Sequence, residues 1–122
     1  MEPSLRIELF PADLDVTVDF YRRLGFTLRG RQDGPPRYAS MAYGTARFGF
    51  AESTPVPPDR RALPAGTEIV IDVDDVFQVH DQLLAADVRA TEGLTQREWG
   101  LTDFRITDPD GYYLRFTERR AG

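Results

Sequence analysis

The sequence lacks cysteine and has a single histidine, His80, among its 122 residues. The absence of cysteine excludes disulfide bonds, thiolate metal sites and cysteine nucleophiles, so stability must come from packing or from association of chains. No apolar run approaches the roughly 20 residues that a membrane-spanning helix requires. The first ten residues also lack the basic and then apolar pattern of a secretory signal. We therefore expect a soluble, cytoplasmic protein with no membrane partner.

Positive charge is in deficit as well. The chain has 15 Lys and Arg residues against 20 Asp and Glu residues, which gives a formal net charge of -5. A nucleic-acid binder presents a basic face to phosphates, so this balance argues against a nucleic-acid partner. It mildly favours a cationic or neutral small molecule as the partner.

The length is that of one domain, residues 1–122, which buries about 65% of its unfolded surface around one core. Hydrophobic periodicity predicts a first module over residues 1–52, with a helix after Asp13 that ends at Gly25. Its predicted strands are residues 5–10, 26–31, 37–43 and 46–51. Residues 53–66 are rich in proline, which cannot join the interior of a sheet, and are predicted to be a linker.

The second predicted module, residues 67–122, repeats this order. Its helix is predicted to begin after Asp75, and its predicted strands are residues 67–73, 88–91, 102–107 and 112–118. When the modules are aligned, Asp13 falls on Asp75 and Phe26 on Val88. We interpret the chain as a degenerate tandem βαβββ repeat of the α+β class. The alternative is chance similarity between two amphipathic helices, which the repeated flanking strands disfavour.

Two motifs carry a resemblance to a known family: "ADLDVTVDFYRRLGF" at the first helix and "TDPDGYYLRF" at the last hairpin. With these motifs the chain resembles the glyoxalase/bleomycin-resistance superfamily, also called the vicinal oxygen chelate fold. The stretch "REWG" before "FRITDPDG" is similar to the one that precedes the last hairpin in bleomycin-resistance proteins. The resemblance implies tandem βαβββ modules that form a curved mixed sheet, with cups completed by pairing of two chains as a homodimer.

Metal enzymes of this superfamily hold a divalent ion with inward-facing His and Glu side chains from four strand positions, two in each module. Counting along the repeat places these positions at Arg6, Gly49, Glu68 and Arg115. Arginine has no lone pair to donate and glycine has no side chain, so at most Glu68 is a ligand. Moving the first strand by two residues adds Glu8, but a catalytic ion usually takes three protein ligands. We predict no metal and no cofactor.

Catalysis without a metal also lacks its usual residues. His80 lies off the apolar stripe of the second helix, and we interpret it as a solvent-exposed surface residue. No nucleophile elbow and no Gly-rich phosphate loop is present. The stretch from Asp108 to Gly111 is predicted to be a β-turn, with proline second and glycine fourth. We therefore predict no catalytic residue.

Strand alternation predicts which side chains enter the cup. The last strand would contribute Tyr113 and Arg115, and the first would contribute Arg6, Glu8 and Phe10. The first hairpin offers further rings, although the sequence does not say which of them face the cavity and which the core: Tyr38, Tyr43, Phe48 and Phe50. The predicted lining is thus aromatic with charged groups among the rings.

Trp99 is the only tryptophan and lies in a predicted loop among polar residues. A large ring has little reason to be there unless it covers something, so ligand contact is our interpretation and packing is the alternative. Arg6 and Arg115 would anchor a ligand or would pair with Glu8 and Glu68, because buried charges need partners. The two roles are compatible.

The resemblance and the predicted lining favour a metal-free, drug-sequestering protein of the bleomycin-resistance type. It would capture a flat, partly aromatic antibiotic or similar natural product at the interface of a homodimer. Bleomycin, an enediyne and a mitomycin are candidate ligands, and the sequence does not choose among them. The alternatives are a metal-dependent glyoxalase-like or dioxygenase-like enzyme of the same superfamily, and a non-catalytic regulatory dimer.

Overall fold

The computed structural model describes residues 2–61 and 66–119. The chain forms two compact units, Met1–Val56 and Pro57–Gly122. The first unit contains β1 (Ile7–Leu9), α1 (Leu14–Leu24), β2 (Thr27–Gln32), β3 (Tyr38–Tyr43) and β4 (Ala46–Ala51). The second contains a short 3-10 helix (Pro58–Arg60), β5 (Ile69–Val73), α2 (Val76–Ala85), β6 (Glu92–Gln96), β7 (Thr102–Thr107) and β8 (Tyr113–Glu118).

Each unit arranges its strands as a four-stranded mixed sheet with the same topology. The strand order is β1-β4-β3-β2 in the first unit and β5-β8-β7-β6 in the second. In both sheets the first strand of the module pairs parallel with the last, and the other pairs are antiparallel. The predicted α+β fold with tandem βαβββ modules is confirmed.

The two helices begin where the sequence predicts. The Asp13 carboxylate accepts hydrogen bonds from two backbone N–H groups in the first turn of α1, which have no partner within the helix. Asp75 caps α2 in the same way by accepting a bond from the N–H of Gln78. Helix α1 ends at Gly25, which has a φ of 108°, a left-handed conformation that glycine adopts without strain.

Alternate residues of the central strands, β3 and β4 in one sheet and β7 and β8 in the other, face the helix and form the core of their unit. In the first unit the Tyr21 ring is fully buried and lies 4.8 to 5.6 Å, between centroids, from three phenylalanine rings: Phe26, Phe48 and Phe50. In the second unit Phe104 and Phe116 stack at 5.1 Å. Such ring pairs contribute about 0.5 to 1.5 kcal/mol each beyond their buried area. The side of each sheet that faces the helix therefore forms the core and is not available to bind a ligand.

One strand lies elsewhere than predicted. Strand β6 is Glu92–Gln96, so the prediction of a strand at residues 88–91 is wrong. The N–H of Val88 donates to the carbonyl of Leu83, which makes Val88 part of the turn that ends α2. The segment that does form β6 contains Glu92 and Gly93, which have low strand propensity, and it lacks the apolar alternation that marks a strand.

The prediction of a solvent-exposed His80 is also wrong. Its side chain is only 17% exposed, and its ring packs edge-on against Phe104 with centroids 5.2 Å apart. His80 follows the buried Val76 by one helical turn, so the two side chains share a face of α2. The imidazole therefore covers an edge of the core of the second unit.

Part of the predicted linker is structured. Within residues 53–66, Pro58–Arg60 form the 3-10 helix, and residues 62–65 lie outside the described part of the chain. The Arg61 guanidinium lies 4.3 Å from the centroid of the Tyr112 ring, within the second unit. No described helix is long and apolar enough to cross a membrane.

Candidate functional site

The face of the second sheet opposite α2 carries charged side chains. On β7, Asp103 and Arg105 alternate with the core residue Phe104, and the strand register places Asp103 opposite Thr117 and Arg105 opposite Arg115. Residues opposite each other on antiparallel strands point to the same side of the sheet. These four side chains therefore share one polar face.

Asp103 is the fully buried member of this face, and its carboxylate binds Arg97. Arg97 Nε lies 3.0 Å from Oδ1 and 3.2 Å from Oδ2, and Arg97 Nη2 lies 2.9 Å from Oδ1. Arg97 Nη2 also donates to Glu92. The bonds to Asp103 and then to Glu92 raise the pKa of Arg97 above its ordinary value, so the guanidinium stays charged.

Arg115 shares the same carboxylate. Its Nη1 lies 3.5 Å from Asp103 Oδ2, and its Nε lies 2.5 Å from Glu68 Oε1 in an ion pair without hydrogen-bond geometry. The pairing of Arg115 with Glu68, which the sequence left as one of two roles, is thus observed. One buried carboxylate lies between two guanidinium groups, which supply the partners that a buried charge requires.

An open pocket of about 540 Å³ lies beside Arg115. Its lining comes from β5, the β6–β7 turn and the end of β8: Val70, Asp72, Trp99, Leu101, Arg115, Thr117, Glu118 and Arg119. Arg119 Nε lies 3.0 Å from Asp74 Oδ1, and Glu118 accepts a bond of 3.0 Å from the N–H of Thr102. The volume is within the range of about 300 to 1,000 Å³ that is usual for small-molecule sites.

Trp99 lies on the tight turn that joins β6 to β7. The N–H of Arg97 donates to the carbonyl of Leu101 at 2.8 Å, and the N–H of Gly100 donates to the carbonyl of Arg97 at 2.9 Å. Gly100 has a φ of +95°, which favours glycine at this position. The Trp99 side chain is 48% exposed at the pocket. Its predicted loop position is confirmed, and its contact with a ligand stays a prediction.

Tyr113 is buried on the same face and lies next to Arg105. Its hydroxyl is 3.5 Å from Arg105 Nη1, and its ring centroid is 5.7 Å from the guanidinium carbon. The bond to Tyr113 is the main cause that raises the pKa of Arg105. Tyr113 is not among the residues that line the pocket, so it supports the face rather than forming a wall.

The open face of the first unit holds a second polar cluster. The hydroxyl of Tyr38 lies 3.0 and 3.2 Å from the two carboxylate oxygens of Glu8, and Arg6 Nε lies 3.1 Å from Glu8 Oε1. Burial and then the bond to Glu8 raise the pKa of Tyr38 above its ordinary value. Gly49 lies opposite Glu8 in the register of β1 and β4. The predicted side chains Arg6, Glu8 and Tyr38 are therefore brought together.

The other predicted contacts of the first unit lie elsewhere. Phe48 and Phe50 are buried on the helix side of the sheet, and Tyr43 packs against Phe26 at 5.4 Å. Phe10 follows the end of β1 and is 47% exposed. Because Tyr43, Phe48 and Phe50 take part in the core, we do not include them in the candidate site.

The strand registers correct the positions expected for a metal site. The partner of Gly49 on the neighbouring strand is Glu8 rather than Arg6, and the partner of Arg115 is Val70 rather than Glu68. Each observed partner lies two residues after the predicted one. These four positions supply one carboxylate, and this donor set does not fit a divalent ion. Within residues 2–61 and 66–119, no three His, Asp or Glu side chains come close enough to hold a metal together.

Tandem βαβββ modules, each with a mixed four-stranded sheet, are the architecture of the vicinal oxygen chelate fold. The chain belongs to the Glyoxalase/Bleomycin resistance protein/Dioxygenase superfamily, whose family model matches residues 5–116. A search of curated protein sequences gives no match.

Solved structures share the fold at low sequence identity. The bleomycin resistance determinant encoded on the transposon Tn5 has 22% identity and a TM-score of 0.80, covering 98% of this chain and 100% of that one. A bleomycin-binding protein complexed with bleomycin has 23% identity and a TM-score of 0.77, with the same coverage. A glyoxalase/bleomycin resistance protein/dioxygenase from Alicyclobacillus acidocaldarius has 19% identity and a TM-score of 0.80, covering 98% and 92%. At these identities the likeness establishes the fold alone.

Several residues of the candidate site were missed by reasoning from the sequence. Asp103 and Arg105 alternate with Phe104 and Ile106, and this alternation already places both on the polar side of β7. The signal for Asp72 is the same, because its neighbours on β5 are apolar. Arg97, at the base of the β6–β7 turn, gave no comparable signal.

Proposed function

We propose that this chain is a metal-free binding protein of the bleomycin-resistance type, which sequesters a flat, partly aromatic natural product. The observation that carries the proposal is Trp99, a half-exposed indole held on a tight turn at a pocket of ligand size. Aromatic side chains at such pockets stack on planar ligands. Trp99 serves as the stacking surface, and Arg115 and Thr117 form the polar wall.

The charges of the pocket suggest the kind of ligand. Arg115 and Arg119 are both in ion pairs, whereas Asp72 and Glu118 make no ion pair within the described residues. The uncompensated charge of the lining is therefore negative. This favours a planar ligand that is neutral or cationic, in agreement with the formal net charge of -5.

Two similarities support the bleomycin-resistance type over other members of the superfamily. The stretch "REWG", which contains Trp99, resembles the one before the last hairpin of bleomycin-resistance proteins. Solved structures with the same fold include a bleomycin-binding protein in complex with bleomycin. We further propose a homodimer, because the resemblance implies cups that are completed by a second chain.

The test is a fluorescence titration with bleomycin, an enediyne and a mitomycin. Trp99 is the only tryptophan, so its emission reports on this pocket alone. We expect a saturable change with at least one compound, and recovery of that compound unchanged after release. Conversion of the compound would instead identify an enzyme. No saturable change with any of the three would refute capture of this ligand class.

A further inference from the structure

Asp103 does not line the candidate pocket, but it contacts one residue that does and one residue at the base of the turn that carries Trp99. Its exposed fraction is 0%, and it is absent from the lining. One neighbour is Arg97, whose backbone closes the turn that carries Trp99. The other is Arg115, which is a wall of the pocket. A single carboxylate thus contacts both the side chain at the base of the Trp99 turn and the guanidinium that lines the pocket.

The contacts with Arg97 are the stronger of the two. Three N–O distances between Arg97 and Asp103 lie from 2.9 to 3.2 Å, whereas Arg115 reaches Asp103 through one distance of 3.5 Å. Charge-assisted bonds in this range are about twice as strong as neutral ones. The position of the Asp103 carboxylate is therefore set mainly by the Arg97 side chain. Arg115 is in turn oriented by its contact with that carboxylate.

The backbone of Arg97 transmits this arrangement to the indole. Its N–H and its carbonyl both take part in the bonds that close the turn around Trp99. When the side chain of Arg97 is held by Asp103, the turn is anchored at its first residue. Partners that lie behind binding groups and hold them in one geometry commonly determine how well a site works.

We propose that Asp103 is a positioning residue that couples the Trp99 turn to Arg115. The pocket then presents its ring and its guanidinium at a fixed separation, which selects rigid planar ligands that reach both. The ligand part of this proposal rests on the proposed function. The coupling itself is a property of the free protein and is measured without any ligand.

The first experiment measures acrylamide quenching of Trp99 in the free protein. Asp103→Asn and Arg97→Gln should each raise the quenching constant by up to about twofold, because a 48% exposed indole on a released turn becomes almost fully exposed. Arg115→Gln should shift the constant in the wild-type background and leave it unchanged in the Asp103→Asn background. Equal shifts by Arg115→Gln in both backgrounds would show direct contact with the indole and overturn the proposal, as would no shift in either.

Arg105→Gln is the matched control. Arg105 lies opposite Arg115 on the same face, but its side-chain bond is to Tyr113 rather than to Asp103. Its loss should leave Trp99 quenching unchanged in both backgrounds. If Asp103→Asn does not fold, a double-mutant cycle replaces it, in which the quenching constant is measured for Arg97→Gln, for Arg115→Gln and for the two changes together. The two shifts should then combine to less than their sum, and simple additivity would refute the coupling.

The second experiment uses bleomycin as the probe. Asp103→Asn should weaken bleomycin binding about tenfold, the lower end of the effect of partners that orient binding groups. Arg23→Gln, which removes an ion pair with Asp19 on α1, should leave the affinity unchanged. If wild-type protein does not bind bleomycin, that result counts against the proposed ligand, and the quenching cycle still decides the coupling. Binding that is unaffected by Asp103→Asn would show that the positioning has no role in recognition.

Discussion

Gly49 lies directly opposite Glu8 in the parallel pair of β1 and β4, and the bond between Glu8 and Tyr38 passes over its Cα. A Cβ added at Gly49 would lie far inside the 3.0 Å that real Cβ atoms keep from Glu8 Oε2 and from the Tyr38 hydroxyl. The absence of a side chain at this position therefore makes room for the polar cluster of the first unit.

Gly49→Ala should lower the free energy of unfolding by about 1 kcal/mol, because the ends of the partly exposed Glu8 and Tyr38 side chains must move apart and lose their hydrogen bond. Chemical denaturation measures the loss. Gly93→Ala is the control, since an added Cβ there meets nothing within 4 Å. Glu8→Ala should make Gly49→Ala less costly. A Gly49→Ala protein as stable as the Gly93→Ala protein would contradict this account.

Trp99→Ala should weaken binding of the captured ligand on the order of 5- to 150-fold. This range converts about 1 to 3 kcal/mol of stacking, a scale taken from bases stacked on aromatic side chains. Trp99→Phe should lose less. Because the ring lies on an exposed turn, the melting temperature of the free protein should barely change. Unfolding by Trp99→Ala, with unchanged affinity in the folded fraction, would show that the ring has a packing role.

Acid should destabilise the protein partly through Asp15. Hydrogen bonds from Arg31 and then Arg37 hold the pKa of Asp15 below its ordinary value of 3.8. The unfolded chain therefore takes up this proton first, and the stabilisation present above 3.8 is lost as the pH falls through the lower folded-state pKa. In the Asp15→Asn protein, the free energy of unfolding should fall less steeply as the pH is lowered. Arg31→Gln should have the same effect, and an unchanged slope in both would refute the assignment.

Sedimentation at micromolar concentration should give twice the chain mass. A chain of 122 residues without cysteine gains buried surface by pairing, and the resemblance to bleomycin-resistance proteins implies a shared pocket. A monomer that still binds ligand would argue against sharing of the pocket between two chains.

Protein purified without chelator should carry no stoichiometric Zn, Ni, Mn or Fe. Elemental measurement on the purified protein checks this. The reason is the donor set at the four positions Glu8, Gly49, Val70 and Arg115, where Glu8 is the only carboxylate and Arg115 cannot ligate. One ion per chain that is lost in Glu8→Ala or Glu68→Ala would show that the ligands were misassigned.

The fold could be predicted from the sequence because its strongest features are local. Asp13 and Asp75 mark the helix starts, and Gly25 marks the end of α1, all within one turn of the residues they act on. The position of β6 was predicted wrongly because its sequence is mostly polar and contains Gly93. The strand is held by pairing with β7, and that pairing is not a local property.

The candidate site was predictable only in part. Trp99 stood out because a large ring in a polar loop is unusual, and the pairing of Arg115 with Glu68 followed from the need of charges for partners. Asp103 did not stand out, because an aspartate in a strand is no sign of burial. Its role depends on its contacts with Arg97 on the β6–β7 turn and with Arg115 on β8, and only the folded structure brings these side chains together.

Because core and polar side chains alternate on β7 and β8, the ligand specificity of the open face can change while the core stays the same. The residues that face α2 form the apolar core, so the outward residues other than the buried, ion-paired Asp103 can vary with little loss of stability. The two modules show this divergence, because Tyr38 and Glu8 occupy the open face of one and Arg115 and Asp103 that of the other. A mutant library restricted to the outward positions is therefore a rational starting point for retargeting the protein to a new compound.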